Sequence, residues 1–161
     1  MIRLASSADA ARLAEVHIRS WQHAYRGIFP EDFLANLDVD RRVTFFSERL
    51  AGGAPVFVSM ADDKVVAFCW PAASSEDGWG EILSIYADPD HWGEGHGRAV
   101  LEAGEAHLEK QGFDRALLWV LAANTRARDF YEYLGWKLGS GLKLEEIGGV
   151  QVTEVRYEKT L

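Results

Sequence analysis

Three glycines alternate with other residues in the middle of the 161-residue chain, at Gly93, Gly95 and Gly97, and Arg98 follows them directly. A strand-like segment precedes this stretch, and an amphipathic helix begins behind it. The first turn of a helix has backbone N–H groups without internal partners, and the helix dipole adds positive potential there. Glycines let such a backbone approach an anion closely. The order of strand, glycine loop and helix therefore predicts a phosphate-binding site.

Two common phosphate loops do not fit this spacing. The dinucleotide fingerprint Gly-x-Gly-x-x-Gly would place Arg98 or Val100 at its third glycine, depending on where the counting starts. The nucleoside triphosphate loop requires Gly-Lys followed by Ser or Thr, whereas Gly97 is followed by Arg98 and Ala99. A plain glycine-rich turn between a strand and a helix is the alternative without a function.

The loop resembles the pyrophosphate loop of the GNAT superfamily of N-acetyltransferases, Arg/Gln-x-x-Gly-x-Gly/Ala. Residues 92–97 match at both required glycines, but Trp92 stands where the superfamily usually has Arg or Gln. A second segment, 124–136, resembles the superfamily block Asn-x-x-Ala-x-x-Phe-Tyr-x-x-x-Gly-Phe and ends in Trp136 instead of Phe. The matching positions of this block are Asn124, Ala127, Phe130, Tyr131 and Gly135. Two blocks in this order and spacing are more specific than either one alone.

The resemblance implies a mixed α/β fold with a mostly antiparallel central sheet of about seven strands, helices on both faces, and splayed fourth and fifth strands. Coenzyme A would lie in the V between those two strands, with acetyl-CoA as the co-substrate. The pantetheine arm would pair with the backbone of Ile85, Tyr86 and Ala87. The other cofactor-binding positions that the resemblance implies are Trp92, Gly93, Gly95, His96, Gly97, Arg98, Asn124 and Tyr131.

Acetyl transfer to an amine needs a base for the amine, a donor for the thioester oxygen and a proton for the departing thiolate. An alkyl ammonium with a pKa of about 10.4 is only about one part in a thousand neutral near pH 7.4. Glu81, which opens the strand leading to the acetyl site, is the candidate base, and an ordered water chain is the alternative. Tyr131 is the candidate acid for the coenzyme A sulfur, and the alternative is a core aromatic residue.

Two further sets of residues have side chains that suit binding roles. His91 and His96 flank the glycine loop, but no neighbouring cysteine or second ligand pair completes a metal site, so no metal is predicted. Aromatic walls with acidic residues suit cationic amines. The candidates for an acceptor pocket are Trp21, Tyr25, Trp70 and Trp79, with core packing as the alternative for each.

Composition limits the class of protein. A chain of 161 residues with 48% apolar and 26% charged residues is expected to form a single domain over 1–161. A net charge of -8 argues against a nucleic-acid-binding surface. Cys69 is the only cysteine and lies in an apolar run, which favours a buried thiol over a nucleophile. With no signal-like segment and no apolar run long enough to span a membrane, a cytoplasmic protein is expected.

Hydrophobic periodicity places these residues on elements. Helices are expected after the first, fourth and fifth of about seven strands. Residues 116–121 are apolar throughout, which is typical of a strand covered on both faces. A last pair of strands surrounds Gly148 and Gly149, and this hairpin is one surface through which a homodimer could form.

The predicted function is an acetyl-CoA-dependent N-acetyltransferase, in which a primary amine attacks the bound thioester directly, without a covalent enzyme intermediate. The acceptor is a small-molecule amine, for which the acidic charge balance favours a cation, or a protein N-terminus or lysine, and the fold does not choose among these. One alternative is a non-catalytic module that senses acetyl-CoA or coenzyme A. Another is an O-acyltransferase or longer-chain acyltransferase of the same fold.

Overall fold

A computed structural model describes all residues of the chain, 1–161, and its central feature is one seven-stranded sheet. The strands are β1 (Ile2–Leu4), β2 (Phe57–Ala61), β3 (Lys64–Ala73), β4 (Gly80–Ala87), β5 (Arg115–Leu121), β6 (Lys137–Ile147) and β7 (Val150–Thr160). The helices are α1 (Ala10–Ala24), α2 (Glu31–Ala35), α3 (Val39–Ala51), α4 (His96–Lys110) and α5 (Thr125–Tyr133). None of these helices has both the length and the apolar character that crossing a membrane requires.

The strand order is β1-β2-β3-β4-β5-β7-β6. All neighbouring strands are antiparallel except β4 and β5, which run parallel because α4 crosses over between them. The last hairpin inserts β7 between β5 and the edge strand β6. The predictions of a mostly antiparallel seven-stranded sheet and of helices after the first, fourth and fifth strands are confirmed.

Helices cover both faces of the sheet. Neighbouring residues of a strand point to opposite faces, and β3 shows this with Phe68 and Cys69. Cys69 lies in the core formed with α4 and α5, together with Leu101. Phe68 lies in the core formed with α1 and α3, together with Val16 and Phe46. The α4 and α5 side and the α1 and α3 side are therefore separate cores divided by the sheet.

The strands β4 and β5 separate almost as soon as they meet. They pair at only two positions, Gly80 with Ala116 and Glu81 with Leu117. Beyond these pairs β4 keeps its partner β3 on one side, while its other backbone edge has no strand beside it. The predicted splay of the fourth and fifth strands is thus present, and it opens a cleft through the sheet.

An irregularity in the pairing of β3 and β4 marks the start of this separation. Trp70 is paired with Ser84 and Pro71 with Ile82, so Leu83 has no partner on β3. An extra residue of this kind bends its strand and increases the local twist. Proline lacks the N–H that a regular ladder would use, so Pro71 suits the irregular position.

The helix α4 lies close against the sheet because a glycine faces it. A Cβ atom built on Gly104 would lie 2.8 Å from Cys69 Sγ, so only glycine fits without a shift. Leu101 and Leu108 are fully buried on the same helix. Burial also raises the pKa of the Cys69 thiol, in agreement with the predicted inert cysteine. This close packing of α4 on the sheet positions the first turn of the helix, and hence the glycine loop that precedes it.

Candidate active site

The separation of β4 from β5 produces a cleft of about 480 Å³ with two unlike walls. The first, here called the loop wall, is built by the free edge of β4, the glycine loop and α5. Its residues are Ile85, Tyr86, Ala87, Trp92, Gly93, Gly95, His96, Gly97, Arg98, Asn124, Arg126, Phe130 and Tyr131. The second, here called the aromatic wall, is built by the end of α1, by Leu83 of β4, by β5 and by the last hairpin. Its residues are Trp21, Tyr25, Leu83, Trp119, Ile147 and Glu154.

The glycine loop presents unpaired amides to the cleft. Gly93 (φ +84°) and Gly95 (φ +88°) are in the left-handed region, which disfavours side chains. No heavy atom would lie within 4 Å of a Cβ at either residue, so backbone conformation and not space requires glycine there. The amide of Ala99 makes a helical hydrogen bond to the Gly95 carbonyl (3.0 Å), which leaves the amides of residues 96–98 without helical partners. These N–H groups can bind an anion.

Trp92, at the position where the superfamily usually has Arg or Gln, is held firmly in the loop wall. Its Nε1 donates a hydrogen bond to the Ala87 carbonyl at 2.9 Å. The His23 ring packs edge-on against the indole, with 4.8 Å between ring centroids. The guanidinium carbon of Arg126 lies over the indole, 3.5 Å from the ring centroid. The tryptophan therefore connects the end of β4 to the first turn of α5.

Two histidines and a glutamate form a cluster in the loop that the sequence spacing did not predict. Glu94 Oε2 lies 2.9 Å from His91 Nδ1 and 3.4 Å from His96 Nε2. His96 Nδ1 lies 2.8 Å from the hydroxyl of Ser59, which fixes the ring. The three potential ligand atoms lie within 4.8 Å of one another. Hydrogen bonding to His91 lowers the pKa of Glu94.

Tyr131 combines burial with a free hydroxyl. It is 7% exposed and packs with Trp136 and Tyr157, whose ring centroids lie 6.3 Å and 6.1 Å away. Burial raises the pKa of Tyr131, which keeps the hydroxyl protonated at neutral pH. The hydroxyl makes no hydrogen bond within the chain, although the residue lines the cleft. Asn124 caps α5 by accepting a hydrogen bond from the Ala127 amide (3.1 Å), and this positions Tyr131 two turns later.

The other two charged residues of the prediction differ in placement. Arg98 lines the cleft, but its Nε donates a hydrogen bond to Glu102 at 2.7 Å. Glu81 does not line the cleft, because it lies at the closed end, where β4 and β5 are still paired. It is half-buried, and Ser74 Oγ donates a long hydrogen bond to it at 3.4 Å. Burial raises the pKa of Glu81.

Aromatic residues of α1 and the following loop pack together in the aromatic wall. Trp21 Nε1 donates a hydrogen bond to the Tyr86 hydroxyl at 3.1 Å. Trp21 also stacks on Phe29 with an interplanar angle of 5° and meets Tyr25 edge-on. The side chain of Asn124 donates a long hydrogen bond to the Tyr25 hydroxyl, at 3.5 Å. The two walls are therefore hydrogen-bonded to each other at this end of the cleft.

Two of the four aromatic residues predicted for the acceptor pocket lie elsewhere. Trp70 packs against Phe45 in the core formed with α1 and α3. Trp79 lies beneath the guanidinium groups of Arg115 and Arg156, at 4.3 Å and 4.6 Å. Neither tryptophan lines the cleft, so packing, the alternative given for each, describes these two residues. Packing against neighbouring apolar and cationic side chains accounts for both.

Two residues of the aromatic wall were missed by sequence reasoning. Glu154 of β7 is half-buried in the cleft, and burial, followed by the nearby Glu145 carboxylate, raises its pKa. Trp119 of β5 carries the Lys143 ammonium 4.1 Å from its ring centroid. In the sequence, a glutamate beside apolar residues of a strand is typical of any solvent-exposed strand face and gives no sign of a cleft. Only the placement of β7 beside β5, which pairs Glu154 with Leu121, reveals its position.

Comparison with known proteins identifies the family. Residues 16–136 match the model of the Acetyltransferase (GNAT) family, and the chain therefore belongs to this family. The enzymes of the family are acyltransferases that use acetyl-CoA as co-substrate. The resemblance seen in the glycine loop and in residues 124–136 is confirmed.

Relatives and solved structures agree with this assignment. The chain is 29% identical over 158 residues to the uncharacterized N-acetyltransferase YuaI of Bacillus subtilis, covering 91% of this chain and 90% of that one. It is 35% identical over 79 residues to a mycothiol acetyltransferase of Kocuria rhizophila, but this match covers only 47% of the chain and 26% of that relative. The fold is shared with PaiA N-acetyltransferase from Thermoplasma acidophilum in complex with coenzyme A (TM-score 0.73, 22% identity, 100% and 98% of the two chains). It is also shared with YncA from Salmonella typhimurium with its cofactor acetyl-CoA (TM-score 0.73, 23% identity, 99% and 92%).

Proposed function

We propose that this protein is an acetyl-CoA-dependent N-acetyltransferase in which a primary amine attacks the bound thioester directly. The observation that carries the proposal is the meeting of two walls in one cleft. Unpaired amides and a free strand edge lie on one side, a half-buried carboxylate lies on the other, and the Tyr131 hydroxyl is unpaired between them. The single cysteine is buried beneath α4, outside the cleft, which supports a mechanism without a covalent intermediate.

The cofactor would be held largely by backbone. The edge of β4 at residues 85–87 is paired with β3 on one side only, so its other N–H and C=O groups can pair with the amides of a pantetheine arm. The free amides of residues 96–98 suit the pyrophosphate. The two solved structures with coenzyme A and acetyl-CoA share this fold, which supports the same placement.

The chemical step needs both protons that the acceptor ammonium loses to be accounted for. A carboxylate takes the first proton from the ammonium, the neutral amine nitrogen forms a bond to the acetyl carbon, and the carbon–sulfur bond breaks. Tyr131 gives its proton to the departing thiolate, the nitrogen of the new amide gives its second proton to the resulting tyrosinate, and the carboxylate releases the first proton to water. A backbone N–H on the free edge near Tyr86 would stabilise the charge on the thioester oxygen. Glu154 lines the cleft and is the direct candidate base, whereas Glu81, the base predicted from the sequence, would act through ordered water from the closed end.

The acceptor would be a cationic primary amine, as a free small molecule or at a protein N-terminus or lysine. Glu154 supplies negative charge to the aromatic wall, and aromatic faces attract ammonium groups. The Lys143 ammonium over Trp119 is an instance of that attraction at the cleft itself. The partial match to a relative named for mycothiol acetylation is compatible with a small-molecule acceptor.

Thermal unfolding with and without acetyl-CoA tests cofactor binding, with ATP and NAD as controls. A ligand at 100 times its dissociation constant stabilises a protein by about 2.7 kcal/mol. For a domain of this size the midpoint should rise by roughly 5 to 10 °C. A rise with acetyl-CoA alone supports the proposal, and no rise at millimolar acetyl-CoA contradicts it.

A panel of amines then tests catalysis. Each amine is incubated with acetyl-CoA and the protein, and the mass of the product is measured by mass spectrometry. Parallel reactions contain longer acyl-CoA donors. The expected product is an N-acetyl amine. Cofactor binding without a product from any amine, alcohol or acyl donor would instead favour a sensing module.

A further inference from the structure

We propose that Arg126 binds the pyrophosphate of coenzyme A from a position set by Trp92, and so supplies a donor side chain in place of the Arg or Gln that the superfamily loop usually has at the position of Trp92. The inference rests on the proposed function, because it names a contact inside the proposed cofactor site. It also gives Trp92 a role as a positioning residue, although an indole cannot itself attract a phosphate.

The geometry places a guanidinium at the mouth of the glycine loop. Arg126 is the second residue of α5 and lines the same cleft as Gly93 and Gly95. Its guanidinium carbon lies 3.5 Å from the centroid of the Trp92 ring, a stacking distance. The indole cannot turn away easily, because Ala87 accepts its N–H hydrogen bond and His23 packs against it. The Arg126 guanidinium therefore stacks on an indole ring whose position is fixed, beside the free amides of the glycine loop.

Arg126 also differs from the neighbouring arginines in having no hydrogen-bond or ion-pair partner within the protein. Arg98 is hydrogen-bonded to Glu102, and Arg128 is hydrogen-bonded to the Tyr157 hydroxyl. Arg126 takes part in no ion pair and no hydrogen bond of the protein, and it is exposed to the cleft. All five of its N–H donors are available, and a planar guanidinium can bind phosphate oxygens through two parallel hydrogen bonds.

The stacking explains why tryptophan suits the first position of the loop. A free arginine samples many rotamers, and ordering it on a ligand opposes binding. Stacking on Trp92 restricts the guanidinium before the ligand arrives. The hydrogen-bond donors that an Arg or Gln at the first loop position would supply thus come here from Arg126 in the first turn of α5.

The test is calorimetric binding of coenzyme A and of dephospho-coenzyme A, which lacks the 3′-phosphate but keeps the pyrophosphate. The proteins are the wild type, Arg126→Gln, Trp92→Leu, the double variant and Arg41→Gln. Arg41 is exposed on α3, far from the cleft lining, so Arg41→Gln matches the charge change. Arg126→Gln should raise both dissociation constants about tenfold or more, and Arg41→Gln should change neither. Arg126→Gln should cost only a few-fold in the Trp92→Leu background, because the two residues act as a unit.

Each other result overturns a defined part of the proposal. Equal affinities of Arg126→Gln and Arg41→Gln would remove Arg126 from the cofactor site while the proposed function stands. A loss seen with coenzyme A but not with dephospho-coenzyme A would assign Arg126 to the 3′-phosphate and overturn the pyrophosphate contact. A full Arg126→Gln effect in the Trp92→Leu background would overturn the role of Trp92. If the wild type binds neither ligand, the proposed function fails and this inference fails with it.

Discussion

The two walls of the cleft are built in different ways. The loop wall comes from two short segments, 85–98 and 124–131, and its binding groups are mostly backbone amides and carbonyls. The aromatic wall draws single side chains from α1, β4, β5, β6 and β7, so that Trp21 and Glu154 line one cleft although they lie 133 positions apart in the chain. Its groups are aromatic rings, two aliphatic side chains and one carboxylate.

This difference determines how each wall responds to amino-acid substitutions. A backbone site depends on conformation, so it is sensitive to glycine and to helix position and tolerates changes of neighbouring side chains. A side-chain site depends on which strands are neighbours and on what each strand contributes at one position. We therefore expect substitutions in the loop wall to change cofactor affinity, and substitutions in the aromatic wall to change acceptor kinetics. Tyr131 is the exception, since it lies on the loop wall but is proposed to act as the acid of the reaction.

The largest effect is expected for Tyr131→Phe. The variant keeps the ring in the core and removes the unpaired hydroxyl that is proposed to supply the thiolate proton. Steady-state kinetics should show kcat lower by roughly 10²–10³-fold, with the affinity for acetyl-CoA unchanged. Tyr157→Phe is the control, because its hydroxyl bonds Arg128 and Glu132 and should affect stability without affecting turnover. Unchanged kcat in Tyr131→Phe would remove the residue from the mechanism.

Next in size is the effect of Glu154→Gln, compared with Glu81→Gln. A general base must be ionised, and the pKa of Glu154 is raised by burial and Glu145, so kcat/KM should fall as the pH drops through that raised pKa. Glu154→Gln should lower kcat/KM for the acceptor roughly 10–10²-fold and abolish this acid limb. Glu81→Gln should cost less than about tenfold, since Glu81 does not line the cleft. The reverse order would show that Glu81 is the base.

A moderate effect is expected for Gly95→Ala, which tests the backbone character of the loop wall. An alanine at φ +88° is strained by about 1–2 kcal/mol, although its Cβ would meet no other atom. The loop should relax away from this conformation and weaken acetyl-CoA binding about tenfold. Gly112→Ala is a matched control at the end of α4, with φ +93° and no atom near the Cβ. It should lose similar stability, measured by denaturant unfolding, and keep its cofactor affinity.

The smallest effect concerns His17, which is buried beneath the aromatic wall. Its ring meets Tyr86 edge-on at 4.5 Å, its Nδ1 has no hydrogen-bond partner, and burial, with the Arg42 charge, lowers its pKa to about 3. Because the unfolded chain binds the proton first, stability is lost as the pH falls below about 6.5. Between pH 7 and 5.5 the loss should be about 1 kcal/mol. In His17→Leu, urea unfolding should show this part of the pH dependence gone; an unchanged slope would contradict the assignment.

The parts of the cleft that could be predicted from the sequence are those in which a few contiguous residues set the backbone conformation. The glycine loop and the helix behind it were predicted, and every residue predicted as a cofactor-binding position lines the cleft. Sequence reasoning did not distinguish Trp70 and Trp79 from the aromatic residues that line the cleft, because the sequence does not show which neighbours an aromatic side chain will pack against. The same ambiguity hid Trp119 and Glu154, whose neighbours along the chain say nothing about the cleft.

The sequence by itself determined the family, the order of elements and the backbone site, since glycine spacing and helix starts are properties of contiguous residues. The tertiary structure decided the rest. The parallel pairing of β4 with β5 stops after two residue pairs, and the last hairpin places β7 beside β5, so Glu154 and Trp119 enter the cleft. Only the approach of α5 to the loop brings Arg126 onto Trp92. These contacts join residues far apart in the chain, and their positions depend on strand register and helix packing, which local patterns do not encode.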